Sequence, residues 1–324
     1  MKISVLVPVY KTEQFIAQCA ASLFGQTYAD MEYIFVDDCS PDDSMAIVTN
    51  TLQKYPQRKE QVRLLKHDTN HGLGAARETA VQAATGDFVL MVDSDDYIEP
   101  DTAQCLAALQ QQTGADIVTG SFAYEFQDGR QVPIHYDNLS REETVRLMLI
   151  RNTVLPHSWG RLVRRSLYTH HDIHYHEGIN MAEDLATMPR LVHAARSIAY
   201  SADVLYHYRI ASSASTFGNM LAHHHVVSFL KANQVLYNYF REKDAKGEYR
   251  FAFETGMMNT TWIAMKGGFS SIRPLCSYRP KGLLFIVLNT LFAHKATLPL
   301  LRLSFLSVKW FYKKALGYSG QRLC

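Results

Sequence analysis

Short apolar runs alternate with helical spacings through the first 120 residues. Residues 3–7 form a β-branched run, and Phe15, Cys19, Ser22 and Leu23 follow at helical intervals. The pattern then repeats. A run at 33–36 precedes Met45, Val48 and Leu52, and a run at 62–65 precedes the Ala-rich stretch 75–84. Runs at 88–92 and 117–118 flank Leu106 and Leu109. Repeated βα units of this kind predict a mainly parallel sheet with helices on both faces. Ligands of such sheets sit beyond the carboxyl ends of the strands.

The pattern loosens over 121–215. Residues 124–133 read as a polar hairpin or loop, 144–149 as helix, and 157–167 as a tight segment holding Trp159 and Gly160. Stretches 198–200 and 204–208 read as strands, and from Asn219 onward the spacing is helical. No internal repeat and no low-complexity segment interrupts the chain.

Composition adds a charge asymmetry. The 324 residues are 47% apolar and 20% charged, enough for a sizeable core. Such a length suits one large domain, or one of about 200–250 residues with an appendage. The net charge of +2 argues neither for nor against nucleic acid. Glu254 is the last acidic residue, and ten Lys or Arg follow it. That basic tail points to an anionic partner. Two apolar stretches in it, 283–291 and 298–310, fall short of the ~20 residues of a membrane span. Mixed with Lys and Arg, and followed by Trp310, Phe311 and Tyr312, they suit helices lying on an anionic leaflet. A helical subdomain packed on the rest of the protein, or on a second copy, is the alternative. The five cysteines, odd in number and without metal-ligand spacing, suit a reducing cytoplasmic compartment. The start reads as a first strand cut short at Pro8, not as a signal peptide.

Acids gather where strands end. Val36 is followed by Asp37-Asp38-Cys39-Ser40-Pro41-Asp42-Asp43. An Asp there can accept from a base imide, and Ser40 or Asp42 can cap the next helix. Val92 is followed by Asp93-Ser94-Asp95-Asp96. Three carboxylates in four residues repel one another unless a cation joins them. A hard ion such as Mg²⁺ takes few carboxylates and accepts phosphate oxygens as well. The loop Asn70-His71-Gly72-Leu73-Gly74-Ala75-Ala76-Arg77 could offer amides and Arg77 to phosphate, though an ordinary flexible loop explains it equally. Glu183-Asp184 precede a helical stretch, where two first-turn acids favoured by the helix dipole are the simpler explanation. In Tyr206-His207-Tyr208-Arg209, with Ser212 and Ser213 after it, His207 could meet a metal or diphosphate, or be an ordinary buried strand histidine. His223, His224 and His225 point in different directions on a helix and read as surface.

Taken in order, these segments resemble the bacterial family 2 glycosyltransferases of the GT-A fold. The resemblance covers about residues 1–215. It rests on Val5-Leu6-Val7-Pro8-Val9-Tyr10, Gln26-Thr27-Tyr28, Val36-Asp37-Asp38-Cys39-Ser40, Gly72-Leu73-Gly74-Ala75-Ala76-Arg77, Asp93-Ser94-Asp95-Asp96 and Glu183-Asp184-Leu185. Trp159-Gly160-Arg161-Leu162 and Tyr206-His207-Tyr208-Arg209 resemble the subgroup that builds surface polysaccharides. One departure is Lys11, where many members carry Asn.

The resemblance implies an α/β fold: a Rossmann-like, mostly parallel central sheet flanked by helices, with a C-terminal helical extension. It implies a catalytic domain over 1–215, whose nucleotide-sugar half is 1–120 and acceptor half 121–215, and a basic helical extension over 216–324. Pro8, Val9, Tyr10 and Glu13 would line the nucleobase pocket, with Asp38 on the base. Arg77, Asp93 and Ser94 would hold the nucleotide. Asp93 and Asp95, with His207, would bind Mg²⁺ or Mn²⁺. Asp184 would be the general base beside Glu183, and Trp159 and Asp96 would face the sugar and acceptor. The implied reaction moves a sugar, with inversion, from a nucleotide-sugar, usually a UDP-sugar, to a saccharide or lipid-linked acceptor. The implied setting is the inner face of the cytoplasmic membrane, with a homo-oligomer possible and no nucleic-acid partner. A nucleotidyltransferase would need a Gly-rich triphosphate loop near the first strand, where Pro8-Val9-Tyr10-Lys11-Thr12 stands instead. A non-catalytic nucleotide- or saccharide-binding module fits less well with Asp93, Asp95 and Asp184 all present.

Overall fold

The computed structural model describes residues 1–150, 155–210, 221–269, 275–279 and 281. The tail stretches 283–291 and 298–310, and Ser212 and Ser213, lie outside them. Among the described residues no helix is long and apolar enough to cross a membrane.

The chain divides into two compact units. The first contains residues 1–141, 158–180 and 194–215, and holds the sheet. Its strands are β1 (Ile3–Val9), β2 (Met31–Asp37), β3 (Val62–Lys66), β4 (Phe88–Met91), β5 (Tyr97–Ile98), β6 (Ile117–Phe126), β7 (Gln131–Ile134), β8 (Arg161–Arg164) and β9 (Ile198–Ile210). Their order is β3-β2-β1-β4-β8-β6-β9-β5, with β7 on β6. β1 pairs in parallel with β2 and β4, and β2 with β3. Every residue of β1 and β2 is buried, as expected where helices cover both faces. These helices are α1 (Ile16–Phe24), α2 (Ser44–Leu52) and α3 (Leu73–Ala83).

Beyond β4 the sheet changes character. β8 enters antiparallel between β4 and β6, while β9 runs parallel to β6. The tight segment expected at 157–167 thus contains a sheet strand and runs into the short helix α6 (Ser166–His170). The two short strands expected at 198–208 are one strand, β9, whose register against β6 shifts around Ser121. The helix α4 (Thr102–Thr113) packs on β6 and β9.

Gln26 and Tyr28 brace this framework. The Gln26 side chain donates to the carbonyls of Ser22 (3.0 Å) and Glu99 (2.6 Å) and accepts from the Ala103 amide (3.0 Å). The Tyr28 hydroxyl donates to the Met1 carbonyl (2.7 Å). The end of α1 is thereby tied to the segment that follows the acids after β4.

The second unit contains residues 142–157, 181–193 and 216–324. Its described helices are α5 (Arg141–Ile150), α7 (Glu183–Ala194), α8 (His223–Lys243) and α9 (Arg250–Lys266). The expected cut at 215/216 is one crossing between units, but α5 and α7 join the C-terminal helices. The packing explains this. A Cβ on Gly256 of α9 would collide with the Leu149 carbonyl of α5. His193 of α7 meets the rings of Tyr239, Phe240 and Tyr249 edge-on. Asn233 donates to Thr260 across α8 and α9 (3.1 Å).

Candidate active site

The β2 strand delivers Asp37 and Asp38 to a loop that is stiffened from within. Asp37 Oδ1 accepts the Ser40 amide (2.7 Å), closing a turn that holds Cys39 at φ 56°. Asp38 is 2% exposed. Its Oδ1 accepts from His67 Nδ1 (2.7 Å) and the His71 amide (2.9 Å). Its Oδ2 accepts from Asn70 Nδ2 (2.9 Å) and the Gly72 amide (2.8 Å). A carboxylate offers about four lone-pair sites, and here four donors fill them. The amides of His71 and Gly72, read from sequence as available to phosphate, are thus taken up by an internal anion at the start of α3. Asp42 works similarly. Burial raises its carboxyl, but the hydroxyls of Ser40 and Ser44 and the amides of Glu13 and Ser44 outweigh that and hold it at about 2.

The acids after β4 have different company. Arg77, 1% exposed, donates from Nη2 to Asp93 Oδ1 (2.8 Å). Tyr206 donates its hydroxyl to Asp96 Oδ2 (2.6 Å), and the Asp93 amide donates to the same Tyr206 oxygen (3.2 Å). The Arg209 amide donates to Asp96 Oδ1 (2.9 Å), and Arg209 Nη1 to the Asp95 carbonyl (2.8 Å). Ser94 is buried, and Asp96 is 0% exposed and turned inward. Burial, then the neighbouring Asp93 charge, pushes Asp95 up to about 6. Burial and the charges of Asp95 and Asp93 push Asp96 well above the usual range. Closely set oxygen donors whose negative charge Arg77 and Arg209 offset only in part suit a hard divalent cation, so Asp93 and Asp95 fit the expected metal chemistry.

His207 does not join them in this arrangement. Successive residues of a strand face opposite ways. Tyr206 and Tyr208 stack on Trp159, at centroid distances of 4.4 and 5.2 Å, and together they bury it. His207 lies on the other face, flat against Tyr97 (4.4 Å, 3° between planes), with Nε2 2.6 Å from Glu99 Oε1. Among the described residues, no three His, Cys, Asp or Glu side chains form a metal-binding group.

An open cleft of about 380 Å³ lies beside the β1 and β2 ends, lined by Lys11, Glu13, Gln14, Phe15, Pro41 and Asp42. Pro8 and Val9, at the end of β1, are buried, while Tyr10 is exposed. The Lys11 amide donates to Ser40 Oγ (2.8 Å), and its ammonium lies 5.1 Å from the Tyr10 ring centre. Lys11 has φ 56°, a left-handed conformation that Asn adopts more readily than Lys.

In the second unit Glu183 and Asp184 form the first turn of α7, where carboxylates suit the helix dipole. Ala182 before them has φ 73°, and the Met181 amide donates to Ser228 Oγ of α8 (3.0 Å). His223 and His224 at the start of α8 are exposed and His225 partly so, as a surface reading requires. Tyr206, Tyr208 and Asn70 stood inside motifs read from sequence but were given no role of their own there, and His67 was not singled out. The period-two spacing of Tyr206 and Tyr208 was the available signal for the first pair.

An open α/β sheet with paired carboxylates and a buried arginine beyond its fourth strand defines a GT-A transferase, an architecture built around nucleotide-sugars. Residues 4–171 match the family described as Glycosyl transferase family 2, and the chain belongs to that family. The glycosyltransferase EpsH of Bacillus subtilis strain 168 is 33% identical over 258 residues, covering 75% of this chain and 73% of EpsH. The poly(ribitol-phosphate) β-N-acetylglucosaminyltransferase TarS of Staphylococcus aureus strain Mu50 is 33% identical over 213 residues, 64% of this chain but only 35% of TarS. A crystal structure of S. aureus TarS 1–349 in complex with UDP aligns with a TM-score of 0.56 at 25% identity, covering 85% of this chain and 83% of that one. The mannosyltransferase PcManGT of Pyrobaculum calidifontis, solved with GDP-Man and Mn²⁺, aligns with a TM-score of 0.57 at 15% identity over 96% and 86% of the two chains, a likeness of fold.

Proposed function

We propose that this family 2 glycosyltransferase moves a sugar from a UDP-sugar to an acceptor hydroxyl in polysaccharide or glycolipid synthesis, with inversion. The observation that carries this reading is the Asp93–Asp95 pair beside buried Arg77 at the end of β4. The UDP complex of the similar TarS fragment supports the choice of nucleotide. Val9, Tyr10 and Glu13 would line the base site, and Arg77 with Asp93 would orient the nucleotide. Asp38 would act by holding the 67–72 loop, since a base could reach its carboxylate only by displacing one of four donors.

Mg²⁺ or Mn²⁺ held by Asp93 and Asp95 would supply Lewis-acid stabilisation of the departing diphosphate, worth several kcal/mol. Asp184 would accept the proton of the acceptor hydroxyl. The acceptor oxygen bonds to the anomeric carbon from one face as the bond to the diphosphate oxygen breaks on the other, and that bonding pair leaves with the diphosphate. General-base assistance is worth about 10²–10⁴-fold, and Asp184→Asn is expected to lose that much turnover while retaining UDP binding. Nucleotide release from a panel of UDP-sugars, with titration of UDP by calorimetry, measures both. Near-wild-type turnover in D184N removes Asp184 from the role, and full turnover in excess EDTA removes the metal.

A further inference from the structure

Residues 172–180 lie along the first turns of α3, and two glycines make that approach possible. A Cβ on Gly74 would stand 2.5 Å from the His176 carbonyl oxygen and 2.8 Å from that of Ile179. A Cβ on Gly72, which has φ 87°, would run into the Asn180 side chain. The glycines of this loop therefore admit a neighbouring chain segment.

Two histidines bridge the same seam, each bracketed by carboxylates. His71 has Nδ1 3.0 Å from Glu177 Oε1 and Nε2 3.0 Å from Asp68 Oδ1. His174 has Nδ1 2.8 Å from Glu78 Oε1 and Nε2 2.8 Å from Asp172 Oδ1. A neutral imidazole has one N–H and one acceptor nitrogen. Only the imidazolium can donate to both flanking carboxylates, and such charge-assisted bonds are the strong ones. The other groups facing His71 are the His67 ring, 5.2 Å away, the Thr69 hydroxyl at 3.2 Å, and Asp38, which accepts its amide. The second Glu78 oxygen accepts the Tyr175 amide (2.9 Å). The buried Tyr175 ring lies 5.9 Å from the Arg77 guanidinium, which holds Asp93.

We propose that His71 and His174 are positioning residues: as imidazolium ions they clamp residues 172–180 onto α3 and, through Tyr175, keep Arg77 set on Asp93. The proposal deepens the transferase reading, but its test requires no turnover. Hydrogen bonds to Glu177 and Asp68 raise His71, and the bond to Glu78 leads the causes that raise His174. A raised folded value means the clamp is complete below the ordinary value of 6.5 and is lost as pH rises through the raised values.

Amide hydrogen exchange on the full chain without nucleotide, corrected for intrinsic rates, reads the clamp directly. Protection over 172–180 should fall at least about threefold between about pH 6 and about pH 8.5, while α4 stays unchanged. In the H71Q/H174Q double variant, protection should be low at both values and its pH dependence gone. Protection in the wild type that ignores pH, or a fall that persists in the double variant, overturns the proposal. If the double variant fails to fold, E177Q/D172N gives the same test at side chains 70% and 95% exposed. Loss or absence of transferase activity leaves this readout untouched, so the two readings fail separately.

Discussion

At the end of β2, Asp38 receives four hydrogen bonds from the 67–72 loop. At the end of β4, Asp96 receives two, from Tyr206 and the Arg209 amide, and its neighbour Asp95 is pushed up to about 6. Both segments put adjacent acids after a buried apolar strand of one sheet. In the first, hydrogen-bond donors surround the carboxylate on all sides and the acid becomes part of the loop's structure. In the second, three carboxylates share a small volume, and the cations nearby do not balance them. Acid density in a sequence thus signals two different things, and the count of available donors decides which.

The largest effect expected from this contrast is on stability. Asp38→Ala leaves two amides, a carboxamide and an imidazole short of an acceptor at a buried site. Each orphaned donor costs about 1–3 kcal/mol, with the sum reduced by local relaxation, so the loss should be about 4 kcal/mol. Urea denaturation measures it. A loss below about 1 kcal/mol would mean that the loop keeps its shape without its anion, and the contrast would break.

Asp95→Asn should move the other way. Asp95 rises from 3.8 to about 6 on folding. A raised folded value favours the native state below the unfolded value, and that advantage disappears as pH climbs through 6. Relative to its protonated form, ionised Asp95 therefore costs about 2–3 kcal/mol at neutral pH. Without added metal, D95N should be more stable than wild type by about 2 kcal/mol at about pH 7.5 and equal to it near pH 4. Mn²⁺ should raise the melting temperature of the wild type and leave D95N nearly unmoved. A D95N variant less stable than wild type at neutral pH would show that the β4 acids are as well satisfied as those of β2.

Local signals carried the first half of the sheet and the positions of both acid clusters. The apolar runs at 3–7, 33–36 and 88–91 fall in strands that are buried throughout and need no distant partner to be recognised, while 62–65 falls in the edge strand β3, half-exposed with Leu64 at 44%. β8 was hidden because Arg161-Leu162-Val163-Arg164 acquires strand character from pairing with Phe88–Leu90 and with β6. The donors to Asp38 were hidden for the same reason: they sit 29–34 residues away. The face of His207 was legible in principle, since alternation opposes it to Tyr206 once 206–208 is read as strand. The place of α5 and α7 among the C-terminal helices was not, because it depends on contacts such as Gly256 against Leu149.

The smallest predicted effect is the sharpest check on the donor argument, because it concerns the one lysine or arginine paired with Asp37 or Asp38 among the described residues. Lys66 Nζ lies 3.8 Å from Asp37 Oδ2, and its side chain is 71% exposed. An ion pair in water gains little, since solvent screens it and ordering a long side chain costs entropy. The same carboxylate accepts the Ser40 amide at 2.7 Å from a buried position, and that bond survives truncation of the lysine. Lys66→Ala should therefore shift unfolding free energy by no more than about 0.5 kcal/mol. A loss above about 1.5 kcal/mol would place part of the β2 cluster's stability on an external cation. The two acid clusters would then differ in degree only, and hydrogen-bond donors could no longer account for the calm of one beside the strain of the other.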